Sequence, residues 1–437
     1  MRTRTIGTSL AAAMLLVPAS AMAVNYPPPS NPGSTSKPPK HTHTLKVCKS
    51  GKGCFKTIQK AVNAAKAGDK IKIAAGTYRE GVTVIGAKKA YLRLIGNPAK
   101  PRSVVINATK KQNGVLINGA DNVTVSGIYA RNYLGNGFFA VNVTGYDFNH
   151  LVAGHGGTYG IYAFNSKGGK MTDSEAFYNN DGGFYVGQTP VQTKPKRTIA
   201  KNNVSWGNVI GWSGTNMRYV TITKSQFFDN AVGVVPNALD SEKFAPAEDN
   251  VITDNDVFWN NFNYQKAAPF TIRQSATSFP YPPGTGIVLF GGRRNLVQNN
   301  RVWGNWLVGI STIKQFVLKQ ADAADTIGNQ VKDNQLGLNG TDLNGYDMFY
   351  DGSGSANCFS GNTQNSPNIP ADNSTFAACP FTGQNAFNQD LDNQTIGWVG
   401  DPAGAHWVRH DHAARAGYNP LELWTSSFDP GTAVGGP

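Results

Sequence analysis

Gly114-Val115-Leu116-Ile117, Gly137-Phe138-Phe139-Ala140-Val141, Gly160-Ile161-Tyr162-Ala163-Phe164 and Gly183-Phe184-Tyr185-Val186 each open a short apolar run on a glycine, and the steps between them are 23, 23 and 23 residues. The series continues at Gly211, Gly233, Gly286, Gly309 and Gly337, with steps of 28, 22, 53, 23 and 28. The step of 53 reads as an extra turn around Val251 to Tyr264 plus an insertion. A fixed period in the low twenties marks a solenoid whose unit cannot bury its own apolar face. Other residues keep the same phase. Asn180, Asn208, Asn230 and Asn334 stand three before the glycines, and Asn132 stands five before Gly137. Tyr178, Trp206 and Phe228 stand five before, with Trp303 one position off. Asn142, Asn165, Gln188 and Asn216 stand five after. Equivalent positions in stacked coils lie ~4.8 Å apart, so the amides are expected to form hydrogen-bonded ladders and the aromatics to fill the interior. No helical period lies between the strands. The fold expected is an all-β, right-handed parallel β-helix of about nine or ten coils.

The flanks set the organisation. Residues 1–23 read as a secretory signal, with Arg2 and Arg4 before an apolar stretch and Ala21-Met22-Ala23 as the cleavage site. Residues 24–44 form a linker rich in Pro, Ser, Thr and Lys, 45–111 a basic cap with the first coils, 112–362 the repeats and 363–437 the tail. Thr57 can cap a short helix carrying Ile58, Ala61, Val62 and Ala65 on one face, and Ile71 and Ile73 then alternate with lysines as in a strand. An exported chain with an even number of cysteines admits disulfides. Of three pairings the two local ones, Cys48 with Cys54 and Cys358 with Cys379, are favoured over a metal site, because no Cys-x-x-Cys spacing occurs.

The net charge of +13 is unevenly placed: 16 Lys and Arg against Asp69 and Glu80 lie between Leu45 and Lys111, and residues 112–437 hold 20 basic and 25 acidic side chains. A basic head on an acidic body suits an acidic glycan or an anionic cell-wall polymer, or is a solvated lysine-rich cap. No nucleic-acid motif accompanies the charge, and no apolar run reaches the ~20 residues of a membrane span. The chain is expected to be a secreted, extracellular or wall-associated monomer.

Thr57-Ile58-Gln59-Lys60-Ala61-Val62, Ala67-Gly68-Asp69 and Ala75-Gly76-Thr77-Tyr78-Arg79-Glu80 resemble the amino-terminal cap of pectin lyase-like β-helix proteins, and the coils between 113 and 340 are similar to their parallel β-helix repeats. The resemblance covers about two thirds of the chain. It implies the fold, and it leaves the activity open among lyases, hydrolases, esterases, epimerases and non-catalytic adhesins. The pectin methylesterase strings are absent. Of the polygalacturonase strings only Gly154-His155-Gly156 occurs, and no Asp-Asp pair exists in the chain. His155 is in phase with Tyr178 and Trp206, so it reads as a member of the aromatic ladder. Alginate-type epimerases carry Tyr-Gly-Phe-Asp-Pro-His. Here Tyr159-Gly160 matches, while Tyr162 and Phe164 replace the Asp and His.

Lyase chemistry is contradicted least. It needs a base for the proton beside a uronic carboxylate and a cation to neutralise that carboxylate. Insertions at Gln188 to Lys201, Pro236 to Asn250 and Lys314 to Asp325 all leave the end of the Gly-opened strand, and Gln265 to Thr285 enters it from the other side. A groove between them would expose Phe139, Tyr162 and Tyr185, which point outward if Ile161 points inward. These rings either stack on sugars or pack under the loops. Lys194, Lys196 and Arg197 on the first loop, with Arg293 and Arg294, are candidate uronate holders, Lys196 for binding and the others for catalysis. Asp181 is a turn residue, an acid/base group or a Ca²⁺ ligand, and Ca²⁺ is the one cofactor this reading leaves room for. His406, His410 and His412 do not match a regular zinc spacing. The competing class is a non-catalytic wall-binding rod. Acid/base groups in the groove would favour an enzyme, and a groove of Asn, Thr and aromatics alone would favour the rod.

Overall fold

The computed structural model describes residues 37–40, 42–239, 242–261, 281–316, 324–338, 340 and 342–400. The expected signal sequence, most of the expected linker, most of the Gln265 to Thr285 insertion and the three carboxy-terminal histidines lie outside the described residues.

Three parallel sheets run the length of the molecule. Sheet 1 has 12 strands, from Thr44–Val47 to Cys358–Ser360; sheet 2 has 10, from Gly76–Tyr78 to Gln335–Leu336; sheet 3 has 10, from Val82–Ile85 to Tyr346–Tyr350. The chain visits them in the order 1, 2, 3 in every coil, which gives ten complete coils with one strand over at each end. This is the parallel β-helix expected from the glycine period. Alternate residues of each strand point into it: Phe138, Ile161, Phe184, Trp212 and Val234 from sheet 3, Phe227, Val257 and Val302 from sheet 2, and Phe148, Met171 and Ile222 from sheet 1 form one continuous core. The amino end is closed by the helix Ile58–Ala64. Thr57 accepts from the amide of Lys60, the carboxylate of Glu80 accepts from the amides of Ile58 and Gln59, and Ile58, Ala61 and Val62 are buried. The disulfides pair Cys48 with Cys54 and Cys358 with Cys379. Among the described residues no helix is long and apolar enough to cross a membrane.

The glycines that open the strands of sheet 3 are required by closeness, not by backbone angle. A Cβ at Gly137 would sit 2.6 Å from the carbonyl oxygen of Gly160, one at Gly160 2.4 Å from that of Gly183, and one at Gly233 2.5 Å from that of Gly286. Each coil leaves room for nothing larger than hydrogen against the next. The series ends differently from the sequence expectation: the residue stacked after Gly309 is Asp347, and Gly337 instead occupies a turn with φ of 77°. The step of 53 holds no extra coil either. Val234 pairs directly with Ile287, so the added residues are insertions into a single coil.

Asparagines line all three corners. Asn208, Asn230, Asn260, Asn305 and Asn344 stack where sheet 2 turns into sheet 3. Asn255, Asn300, Asn334 and Asn362 stack between sheets 1 and 2, and Asn250, Asn295, Asn329 and Asn357 between sheets 3 and 1. Each side-chain oxygen accepts from the amide nitrogen and side chain of the previous rung. Sequence phase alone misassigned several rungs: Asn334 belongs to a different corner from Asn208, and Asn179 rather than Asn180 bonds to Asn208. Asn300 accepts from the backbone and side chain of Asn255 and donates to Asn334 and to the carbonyl of Ile252. Asn300→Ala strands buried donors and an acceptor, and is expected to lower unfolding free energy by about 2–4 kcal/mol in urea titrations.

The aromatic ladder is a second correction. Ser205, Phe227, Val257 and Val302 take the inward positions of sheet 2, so Phe177, Trp206, Phe228, Phe258 and Trp303 face outward and form their own buried cluster. Phe177 stacks on Trp206 at 5.0 Å, Phe228 on Phe258 at 5.0 Å and Phe258 on Trp303 at 4.4 Å, which puts Trp303 in register. Tyr178 has a φ of 50° near the end of the strand Glu175–Asn179, and His155 rests against Phe177 and Tyr178 at 5.4 and 5.6 Å. The tail adds a helix, Gln389–Gly400, that the sequence reading did not anticipate, and it sets Trp398 against Tyr346 and Phe349 on the outer face of sheet 3.

Candidate functional site

The outer face of sheet 3 carries the aromatic row. Phe139 pairs with Tyr162 and Tyr162 with Tyr185 in adjacent strands, because each stands one residue beyond an inward Phe138, Ile161 or Phe184. The rings stack at 4.7 and 4.5 Å with interplanar angles of 10° and 11°. They form a cluster separate from the core, so they point outward as the alternation requires. The row is not open, however: Phe139, Tyr162 and Tyr185 are 4%, 1% and 3% exposed. Packing under loops is therefore the reading that holds for this row.

What borders the row is polar. Tyr159, two residues before the inward Ile161, puts its half-buried ring 4.9 Å from Tyr162 and 4.8 Å from Tyr185. It also hydrogen-bonds the Asp181 side chain. Gly182 occupies the outward position of the next strand, where even a Cβ would come within 3.3 Å of Tyr159 and 3.4 Å of Ser213. Burial pushes the Asp181 carboxyl up to about 6, opposed by the bond to Tyr159.

The second carboxyl comes from the insertion after Val232–Asn237. Asn216 accepts from the amide of Leu239 and donates to its carbonyl, and Gln188 accepts from the amide of Phe244 at 2.9 Å. These two amides, on the corner where sheet 3 turns into sheet 1, strap the insertion down over the sheet. Glu242 then meets Tyr185, whose hydroxyl donates to Glu242 Oε1 at 2.9 Å. Burial pushes Glu242 up to about 8, held back by bonds from Tyr185 and Asn216. The second oxygen, Oε2, is buried with no partner among the described residues. Two carboxyls with separated protonation ranges thus adjoin one tyrosine cluster.

The five basic candidates lie elsewhere. Lys194, Lys196 and Arg197 are exposed. The stem of Lys196 covers Gly168, while Arg197 donates to the carbonyls of Val220 and Asp249. Arg294 is bound to Asp249 at 2.8 Å and Glu248 at 2.9 Å, and Arg293 sits in the short strand Gly292–Arg293 beside Thr326–Ile327. Arg197, Arg293 and Arg294 thus lie where the chain enters sheet 1, and no cation contributes to the shift of Asp181 or Glu242. Asp181 is the one charged candidate that the fold brings to the aromatic row. Among the described residues no three His, Cys, Asp or Glu side chains gather as a metal site would need.

Sequence reasoning missed Tyr159 and Glu242. Tyr159 had a signal, since it stands at the tyrosine of the epimerase-like Tyr-Gly pair. Glu242 had only its place in an insertion.

No family model matches the chain, and no curated protein matches it. Among solved structures it is similar to the A-module of a mannuronan C-5 epimerase from Azotobacter vinelandii, with 16% identity, TM-score 0.47, 71% of this chain and 92% of that one covered. It is also similar to the catalytic domain of an alpha-1,3-glucanase in complex with nigerose, with 14% identity, TM-score 0.46 and coverage of 81% and 69%. A rhamnogalacturonan lyase matches with 14% identity, TM-score 0.40 and coverage of 74% and 83%. The chain's own three sheets establish a parallel β-helix, and the function has to be argued from its own site.

Proposed function

We propose that this protein is an exported enzyme that cleaves a glycan on the outer face of sheet 3, with Asp181 and Glu242 as its acid/base pair. The observation that carries the reading is the separation of the two carboxyls, one ionising at about 6 and the other at about 8, around a shared tyrosine cluster. Near neutral pH the first is a base and the second a proton donor. Breaking a glycosidic bond needs one group of each kind, the donor for the leaving oxygen and the base for the attacking water. Tyr159 and Tyr185 fix the two carboxyls by hydrogen bonds.

Hydrolysis fits this set better than β-elimination. Elimination has to neutralise a uronate beside the reacting carbon, and no cation contributes to the electrostatics of Asp181 or Glu242. The presence of carboxyls in place of Asn, Thr and aromatics alone favours an enzyme over a passive rod. The test is incubation with a panel of neutral and acidic polysaccharides, following new reducing ends and ultraviolet absorbance together. Reducing ends without absorbance are expected for at least one polymer. Absorbance from unsaturated ends would return the assignment to a lyase, and binding without new ends would return it to the non-catalytic class.

A further inference from the structure

The basic head forms a surface of its own. Sheet 1 begins with Thr44–Val47, Lys70–Ile73 and Arg93–Ile95; of their six outward positions four carry cations, and Thr44 and Ile95 take the other two. Lys46 lies in register with Lys72, and Lys70 with Arg93. Lys46, Lys72 and Arg93 are exposed and Lys70 is half-buried. Like charges directly opposite one another in neighbouring strands destabilise a sheet, and here two such pairs stand side by side. The two acids of the head do not relieve them. Asp69 is buried and accepts from the amides of His43 and Lys66, and Glu80 accepts from the first amides of the capping helix. Among the described residues none of the four cations forms an ion pair. The pattern stops at the third strand: the next two present Thr124 with Ser126 and Asp147 with Asn149 at the same positions.

We propose that this grid holds a linear polyuronate, at a site separate from the cleavage face. It takes from the reading above only that the protein works on glycans. The two register pairs form parallel columns of positive charge crossing the strands, with neighbours in a column ~4.8 Å apart. A polymer with one carboxylate on every sugar presents charges closely enough to meet both members of a column; a polymer with sparse charges meets one. The grid faces outward from sheet 1 and the carboxyl pair from sheet 3, so a polymer anchored at the head leaves the cleavage face open.

The test uses the full chain and labelled polygalacturonate at low and high salt. The fourfold variant Lys46→Gln, Lys70→Gln, Lys72→Gln, Arg93→Gln is expected to bind at least tenfold more weakly at low salt and to lose most of the salt dependence. Lys170→Gln with Lys201→Gln, on the same sheet beyond the third strand, is expected to bind as the wild type does. So is Asp181→Asn, which separates this surface from the cleavage reading: loss of cleavage with retained binding leaves the grid standing. The fourfold variant removes opposed like charges, so its unfolding midpoint is expected to stay or rise. Unchanged affinity in that variant would overturn the proposal, as would equally tight binding of inorganic polyphosphate.

Discussion

Asp181→Asn is expected to reduce kcat/KM for glycan cleavage by about 10²- to 10⁴-fold, the range for losing one acid/base group, while leaving the unfolding midpoint within a degree or two. The amide has nearly the shape of the carboxyl and can still accept from Tyr159, so a folding defect would not explain the loss. The wild-type pH profile carries the second half of the prediction. Asp181 acts ionised, so the rate should rise as pH climbs through about 6; Glu242 acts protonated, so the rate should fall as pH climbs through about 8. The profile of kcat/KM should therefore be a bell centred near 7. Glu242→Gln should remove the alkaline limb, because an amide cannot give up a proton there, and what activity remains should level off above the acid limb. A wild-type profile flat from pH 5 to 9 would sink the pair, as would an Asp181→Asn enzyme of full activity.

The contrast between what the residues announced and what they hid has a physical basis. A solenoid repeats its contacts, so one requirement is written many times. The hydrogen-only space between Gly137 and Gly160 recurs between Gly233 and Gly286, and a period is visible even though no single glycine is diagnostic. Strand alternation likewise placed Phe139, Tyr162 and Tyr185 on the outer face. Parity cannot say whether an outward face is open, because that depends on where non-repeating loops land. The strap that brings Glu242 to Tyr185 depends on Asn216 and Gln188 meeting the amides of Leu239 and Phe244, contacts made once in the molecule. The same limit explains the basic loop residues. Lys196 and Arg197 leave the right strand at the right end, yet their loop turns toward sheet 1. Corner identity was hidden for another reason: an asparagine serves all three corners by the same chemistry, so Asn334 looks like Asn208 in sequence.

The glycine contact also sets the largest expected stability effect. Gly233→Ala places a methyl group 2.5 Å from the carbonyl oxygen of Gly286, 2.5 Å from Cγ1 of Val257 and 3.0 Å from Nδ2 of Asn260. The valine can yield by a rotamer change. The carbonyl cannot, because its strand pairs with Val232–Asn237 on one side and with Val308–Ile313 on the other. Relief requires the coils to part, which stretches the strand pairing and the rung between Asn230 and Asn260 together. A cost at or above the upper end of the usual overpacking range, about 3 kcal/mol or more, is expected. In a stack where each coil touches only its neighbours, that cost should stay local. Hydrogen exchange should quicken in the strands around Gly211, Gly233 and Gly286, while the amide protection of Ile71 and Leu94 near the cap stays at the wild-type level. Gly397→Ala is the matched control, since a Cβ there meets nothing within 4 Å. If both substitutions proved equally mild, the close approach of the coils would not be what keeps glycine at these positions, and the period that reveals the fold would need a different cause.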